Sequence, residues 1–390
     1  MRKYLESHPF LTFSTYLPDL PRDIWLNAGI AQSKCEEIGR AILPRERKGE
    51  FSMLALSKSV HSTTAIEGNT LTEEEVLSIV SDQSKLPDSR QSQAQEVKNI
   101  VEAYKVLYFE NRLSELAPER GFIKPVSVEK IKEVNKILLA KLILQSDKIV
   151  PGDIYQYPTQ VGKNLGAPVE DREYLLEKLC KWINEDFQAT QTQHKIVYRL
   201  ISAIFAHLYI AWIHPFGDGN GRTARFIESY ILRASGVPEM SAHLLSNHYN
   251  LTRTKYYQEL DHGRNTKEVH HFLRYAIEGF IDQLNEQIVS LRAYQFESAW
   301  RDFVYQSFDD KSNSTITTRR RQVALALWYQ REEPVPLTKL RLISPKVAEL
   351  FAGKSNQVIA RDVKALEKME LVVTEESRVR ANLDLLSYQS

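Results

Sequence analysis

The chain has 390 residues, 43% of them hydrophobic and 26% charged, with a formal net charge of +1. That length accommodates two or three domains, and a charge so near neutral gives no global pull toward nucleic acid or an acidic membrane surface. With only two cysteines, Cys35 and Cys180, a disulfide framework or a cysteine-rich zinc module is not expected.

The opening MRKYLESHPFLTF has neither an apolar core nor a small-residue cleavage site, so a reducing cytosol is the expected compartment. Helical periodicity then dominates the first 300 residues. In 61–69 (HSTTAIEGN), Glu67 ends a helical stretch and Gly68 suits the position after its last turn. Thr72 and Glu75 have the spacing of a capping box that opens a helix at TEEEVLSIV. Residues 96–108 place Val97, Ile100, Val101, Tyr104 and Leu107 on one face. The stretches 128–144, 171–187 and 267–291 behave similarly. Between them, 151–168 holds three glycines and three prolines around β-favouring pieces at 154–157 and 159–161. It reads as a loop or short hairpin.

Residues 196–213 (IVYRLISAIFAHLYIAWI) are long and apolar enough to span a bilayer. Arg199, Ser202 and His207 favour instead a central helix of a globular bundle, apolar nearly all round.

This segment runs into HPFGDGNGRTAR, from His214 to Arg225. Gly219, Asn220 and Gly221 can adopt positive φ and turn backbone N–H groups toward one point. A helical pattern starts at Arg222, so the loop ends at a helix N-terminus, where the macrodipole favours an anion. Arg222 and Arg225 can share a helix face and grip one polyanion. Asp218 is a hard oxygen ligand suited to Mg2+. His214 is a general base candidate near neutral pH. No GK[ST] follows, so the loop is not a Walker A motif.

From 311 onward the chain carries 14 Lys and Arg against 9 Asp and Glu, net +5; the rest carries 37 against 41. The polar 309–318 reads as linker. Helices are expected near 321–331, 347–351 and 356–369, then strands at 371–374 and 379–386. That is a winged helix-turn-helix outline. Arg361, Lys364 and the run Arg319–Arg321 make DNA a candidate partner, with a second copy of the chain the other candidate.

HPFGDGNGRTAR resembles the signature of Fic-domain protein adenylyltransferases, HxFx[DE]GNGRxxR, at every fixed position. Thr63, Glu67 and Gly68 resemble the inhibitory pattern [ST]xxxE[GN] that such proteins carry N-terminal to the core. The resemblance covers about residues 10–295, and its leading segment starts at Phe13. It implies a mainly α fold, with a Fic-type helical core and a short β-hairpin flap at 154–161, joined here to the C-terminal winged helix. The organisation expected is a helical region at 1–115 with the inhibitory motif, a catalytic core at 116–295, a linker at 296–318 and a winged domain at 319–390.

The same resemblance implies ATP and Mg2+ as cosubstrates, and AMP transfer to a Ser, Thr or Tyr hydroxyl of a target protein. His214 would take the hydroxyl proton and Asp218 would hold Mg2+. Pro215, Phe216, Gly217, Gly219, Asn220 and Gly221 would shape the ATP loop, with Phe216 its anchor and Asn220 stabilising the α-phosphate. Arg222 and Arg225 would bind the β- and γ-phosphates. The segment RTKYYQEL resembles the family's nucleobase border, with Tyr257 preferred over Tyr256. Glu67 would pair with Arg225 and block the γ-phosphate. Two other readings keep the same residues: removal of AMP or transfer of another phosphate-linked group, and a DNA-binding regulator whose core senses nucleotide.

Overall fold

A computed structural model describes residues 2–13, 17–83, 86–115, 125–161, 164–188, 194–266, 268–308, 314–331 and 333–386. Parts of several expectations lie outside these: 14–16 of the leading segment, 116–124 at the start of the catalytic core, 162–163 of the loop 151–168, Lys267 at the head of the run 267–291, 309–313 of the linker, and 332 and 387–390 of the winged domain. The chain divides into two compact units, Met1–Ile288 and Val289–Ser390.

The first unit is helical: α1 (Tyr4–Ser7), α2 (Arg22–Arg40), α3 (Arg45–Ile66), α4 (Glu73–Val80), α5 (Gln91–Glu115), α6 (Val128–Leu138), α7 (Arg172–Glu185), α8 (Lys195–Ile213), α9 (Asn220–Ala234), α10 (Leu244–Leu251) and α11 (Arg253–Thr266). The long α12 (His270–Gln306) contributes its first half to this unit and its second half to the other.

At the centre stands α8, the apolar segment flagged by its length. Of its most apolar window, 89% is buried in protein. It packs on α9, α7 and α2, and α9 in turn packs on α6. Two of its polar side chains are satisfied internally. Arg199 donates to the Ile183 carbonyl at 3.2 Å and Ser202 to the same oxygen at 3.3 Å, both near the end of α7, where carbonyls lack helical partners.

Both helix ends marked by local sequence signals are closed by hydrogen bonds. The Thr72 side chain accepts from the Glu75 N–H, and the Glu75 carboxylate accepts from the Thr72 N–H, a complete capping box. At the end of α3, Gly68 sits at φ +99°, while the Asn69 N–H reaches back to the Thr64 carbonyl at 3.1 Å.

The hairpin is shorter and later than its composition suggested. Among the described residues, Gln160–Val161 (β1) and Asn164–Leu165 (β2) pair, antiparallel, and 154–157 is irregular. The carbonyls of Tyr155 and Tyr157 accept from the buried Arg172 instead of a second strand.

In the second unit, α13 (Thr315–Leu327), α14 (Pro345–Leu350) and α15 (Asn356–Lys368) accompany β3 (Val335–Pro336), β4 (Val372–Glu375) and β5 (Arg378–Ala381). The strand order β3-β5-β4 is antiparallel throughout. The expected linker is largely helical: α12 continues to Gln306, and Ser314 caps α13. The final strand stops at Ala381 and gives way to a 3-10 turn at Leu383–Leu385. Trp300, Leu327, Trp328, Leu340, Leu366 and Val379 meet in one core.

The same unit holds an ion triad whose centre is buried. Asp362 accepts from the Arg319 Nε at 2.6 Å and from the Arg320 Nε at 2.8 Å, and Asp362 and Arg319 are each under 5% exposed. Two of the three arginines expected on a basic surface are therefore structural, whereas Arg361 and Lys364 are exposed on α15. Removing Asp362 strands a desolvated guanidinium. Asp362→Ala is expected to destabilise this unit by about 3–5 kcal/mol in denaturant titrations followed by Trp300 and Trp328 fluorescence. A loss under about 1 kcal/mol would show that water reaches Arg319.

Candidate functional site

The site forms where α8 ends and α9 begins. His214 caps α8 in the left-handed region (φ 51°, ψ 58°), donating its N–H to the Ile210 carbonyl at 3.0 Å. A non-glycine residue there is strained by roughly 1 kcal/mol. The loop that follows α6 clamps it in place. The Ala167 N–H donates to the Ile213 carbonyl at 3.0 Å and the Tyr155 N–H to the Pro215 carbonyl at 2.9 Å.

That clamp has its own anchor. Arg172, the first residue of α7, is fully buried. It donates to the carbonyls of Ala167 at 3.0 Å and Tyr157 at 3.0 Å, to the Tyr155 carbonyl, and to Thr159 Oγ1 at 2.9 Å. Burial lowers its pKa to about 10, which still leaves it charged at neutral pH.

The loop between the helices is braced from inside. Phe216 is 1% exposed. The Asn220 side chain accepts from the Phe216 N–H at 2.9 Å and donates to the Phe216 carbonyl at 2.8 Å. The resemblance places Asn220, with the flanking glycines, at the α-phosphate; its side-chain amide is bonded to the loop's own backbone, because a four-residue spacing brings the two together. Gly219 has φ +73°, which favours glycine, and a Cβ there would sit tightly, 3.0 Å from Leu139 and 3.1 Å from Asn135.

Asn135, unexposed on α6, ties three elements together. Its Nδ2 donates to the Asp218 carbonyl at 3.0 Å and to Thr223 Oγ1 at 3.2 Å, and its Oδ1 accepts from the Gly152 N–H at 3.0 Å. Asn135→Ala leaves a buried N–H and carbonyl unpaired, so stability should fall by about 2–4 kcal/mol in a denaturant titration. A fall below about 1 kcal/mol would show that Asn135 does not hold the loop.

The charged residues divide between two sets of partners. Arg222 donates to Glu96 Oε1 at 2.6 Å and to Asp218 Oδ1 at 3.0 Å; the same Asp218 oxygen accepts the Gly219 N–H. Arg225, 2% exposed, donates from Nε to Thr63 Oγ1 at 2.7 Å, and from Nη2 to the Thr63 carbonyl at 3.2 Å and to Glu67 Oε1 at 2.5 Å. Glu67 and Arg225 thus pair within one chain.

The Glu67 carboxylate also lies directly over the first turn of α9. A Cβ on Gly221 would come within 2.6 Å of its Oε1. A helix N-terminus favours an anion, and here that anion belongs to the protein itself. Burial works to raise the Glu67 pKa, but Arg225, Arg222 and Arg253 outweigh it and hold the carboxyl below its ordinary value.

Behind α9 a buried network supports Arg225. His207 Nδ1 lies 3.0 Å from Glu228 Oε1, which also accepts from the Tyr249 hydroxyl at 2.8 Å; His207 Nε2 lies 2.9 Å from the Tyr256 hydroxyl. Tyr256, at 2% exposure, is core, whereas Tyr257 is 43% exposed, so of the two expected nucleobase neighbours only Tyr257 is open to a ligand.

His214 itself is desolvated. Burial, then the Arg172 charge, lowers its pKa to about 4, so the imidazole is neutral at physiological pH. The expected residues His214, Asp218, Arg222, Arg225, Glu67 and Thr63 all gather around the first turn of α9. Sequence reasoning missed Glu96, Asn135 and Arg172. Each lies in a helical segment that reads as an ordinary wet face; Glu96 and Asn135 meet partners distant in sequence, and Arg172 meets backbone carbonyls of an irregular loop, which carry no residue-type signal.

Residues 125–232 match the Fic/DOC family. The curated relatives include the protein adenylyltransferase fic-1 of Caenorhabditis briggsae, 31% identical over 220 residues, and that of Caenorhabditis elegans, 29% identical over 220 residues. In both cases the match covers 56% of this chain and 38% of the relative. The chain thus aligns with well under half the length of these proteins. Among solved structures, a Fic family protein from Desulfovibrio desulfuricans G20 is similar in fold (TM-score 0.54, 16% identity, 92% of this chain and 95% of that one). So is Fic-1 (aa134–508) from C. elegans (TM-score 0.51, 22% identity, 70% and 73%).

Proposed function

We propose that this chain, homologous to protein adenylyltransferases through a segment of the Fic/DOC family, transfers AMP from ATP to a hydroxyl of a target protein and is held inactive by Glu67. The observation that carries this reading is the grouping of His214, Asp218, Arg222 and Arg225 where α8 ends and α9 begins.

In this reading the target hydroxyl donates its proton to the His214 imidazole as its oxygen attacks the α-phosphorus. The new P–O bond forms as the bond to the pyrophosphate oxygen breaks, and pyrophosphate leaves. Arg222 and Arg225 offset the charge of the departing phosphates. Asp218 suits a divalent cation: its carboxylate is part exposed beside the loop and draws only on Arg222 and the Gly219 N–H through one oxygen. Mg2+ there would neutralise phosphate charge. Tyr257 is the exposed aromatic offered to the base.

Glu67 supports self-inhibition because it occupies both the α9 N-terminus and Arg225, the two features a γ-phosphate would use. The second unit supports a winged-helix reading through its order of helices and antiparallel strands, with Arg361 and Lys364 as the cations left for a partner.

The experiment is incubation of the Glu67→Gly variant with ATP, Mg2+ and a cell extract, followed by intact-mass analysis of modified proteins. Gain of one AMP on protein hydroxyls is expected, and gain of phosphate alone would overturn the reading. Incubating AMP-modified target with the wild type tests the reverse reaction. The pH dependence follows from His214. A base whose pKa is depressed stays neutral until the pH falls through that lowered value. The acid limb of kcat/KM for Glu67→Gly should therefore lie near pH 4, well below the ordinary histidine range. A limb at about 6.5 would mean that His214 is solvated during turnover.

A further inference from the structure

Away from the nucleotide loop, the turn between α11 and α12 brings two imidazoles and a carboxylate together. Glu268 Oε2 lies 3.7 Å from His262 Nε2 and 3.3 Å from His271 Nε2. All three ligand atoms fall within 4.8 Å of one another. His262 Nε2 is cut off from solvent and has no hydrogen-bond partner, although the ring as a whole is 39% exposed.

We propose that His262, Glu268 and His271 bind a divalent late transition metal of the zinc class. Tetrahedral bonds of about 2.0–2.2 Å place neighbouring donors about 3.3–3.6 Å apart, close to the spacing of the carboxylate and the two imidazoles. An unpartnered, desolvated ring nitrogen aimed at a carboxylate and a second imidazole is poorly satisfied without a cation and well satisfied with one. The donor set of two nitrogens and one oxygen selects zinc-like ions over Mg2+ or Ca2+, and it leaves one coordination position for water.

The turn is prepared locally. Thr266 Oγ1 donates to the His262 carbonyl at 2.9 Å and accepts from the Glu268 N–H at 3.2 Å, which fixes Glu268 relative to α11. The bound ion would staple the end of α11 to the start of α12. The end of α11 is tied to the last turn of α8: a Cβ on Gly263 would press on Trp212 at 2.9 Å, and Arg264 donates to the Trp212 carbonyl at 3.4 Å.

The test uses the full chain, stripped with a chelator and titrated with Zn2+ alone by calorimetry, with Co2+ as a spectroscopic probe. One equivalent should bind, the Co2+ form should show tetrahedral d–d bands, and saturating Zn2+ should raise the melting temperature by about 5 °C. His262→Ala and His271→Ala should each weaken binding by at least about 100-fold. Glu268→Gln, which keeps the side-chain shape, should lose most of the affinity while melting like the chelated wild type. Absence of saturable binding overturns the proposal. So does binding that survives these three variants, or that disappears in Asp218→Ala.

Discussion

Glu67→Gly is expected to raise AMP transfer by roughly 100-fold over the wild type at a fixed ATP concentration. In the wild type a γ-phosphate must displace the Glu67 carboxylate from Arg225, whose guanidinium is 2% exposed while the glutamate side chain is 32% exposed. A pair of that burial lies between a surface bridge, worth under about 1 kcal/mol, and a buried one, whose disruption costs about 3–5 kcal/mol. A middle value of about 2.7 kcal/mol corresponds to about 100-fold. The variant should not disorganise the site, because Thr63 still accepts from Arg225 through its hydroxyl at 2.7 Å and its carbonyl at 3.2 Å. Gly221 would then face open space where the carboxylate lay. The measurement is incorporation of α-labelled ATP into target or self, with the melting temperature recorded alongside. Unchanged incorporation by a stable variant would sink the inhibitory reading while leaving the transferase reading intact.

The second large effect is the loss on adding His214→Ala to Glu67→Gly. A positioned general base contributes about 10²–10⁴-fold, and the double variant should fall by that factor in kcat with little change in the KM for ATP. The pattern follows from the placement of the residue. His214 stands at the end of α8, while the phosphate-facing groups Arg222 and Arg225 belong to α9. Its removal leaves the anion site assembled, since the loop is held by Asn220, Asn135 and the clamp around Pro215. If the double variant keeps a third or more of the single variant's rate, the proton must go elsewhere.

The site was legible in the sequence where it is contiguous. From His214 to Arg225 the chemistry lies on twelve successive residues, and glycine announces the positive φ at Gly219. The fold was legible where one face is apolar over several turns, as in α5, or where a cap is encoded locally, as at Thr72 and Glu75. What remained hidden is long-range. Asn135 and Glu96 occupy polar positions of amphipathic helices, and only tertiary packing reveals that they meet Asp218 and Arg222. Helix phase separates Tyr256 from Tyr257, but which of two adjacent tyrosines enters the core depends on what the helix packs against. The two-residue strand β3 carries too little pattern to be read, since pairing with β5 alone defines it.

The brace between Asn220 and Phe216 also bears on chemical ageing. An Asn–Gly dipeptide such as Asn220–Gly221 deamidates when the glycine nitrogen attacks the asparagine side-chain carbonyl, a step that needs a mobile side chain and a freely turning backbone. Here both amide atoms of Asn220 are bonded to Phe216, and the two residues begin α9. The folded protein therefore protects its most labile dipeptide. Deamidation at Asn220 would report how often this loop opens.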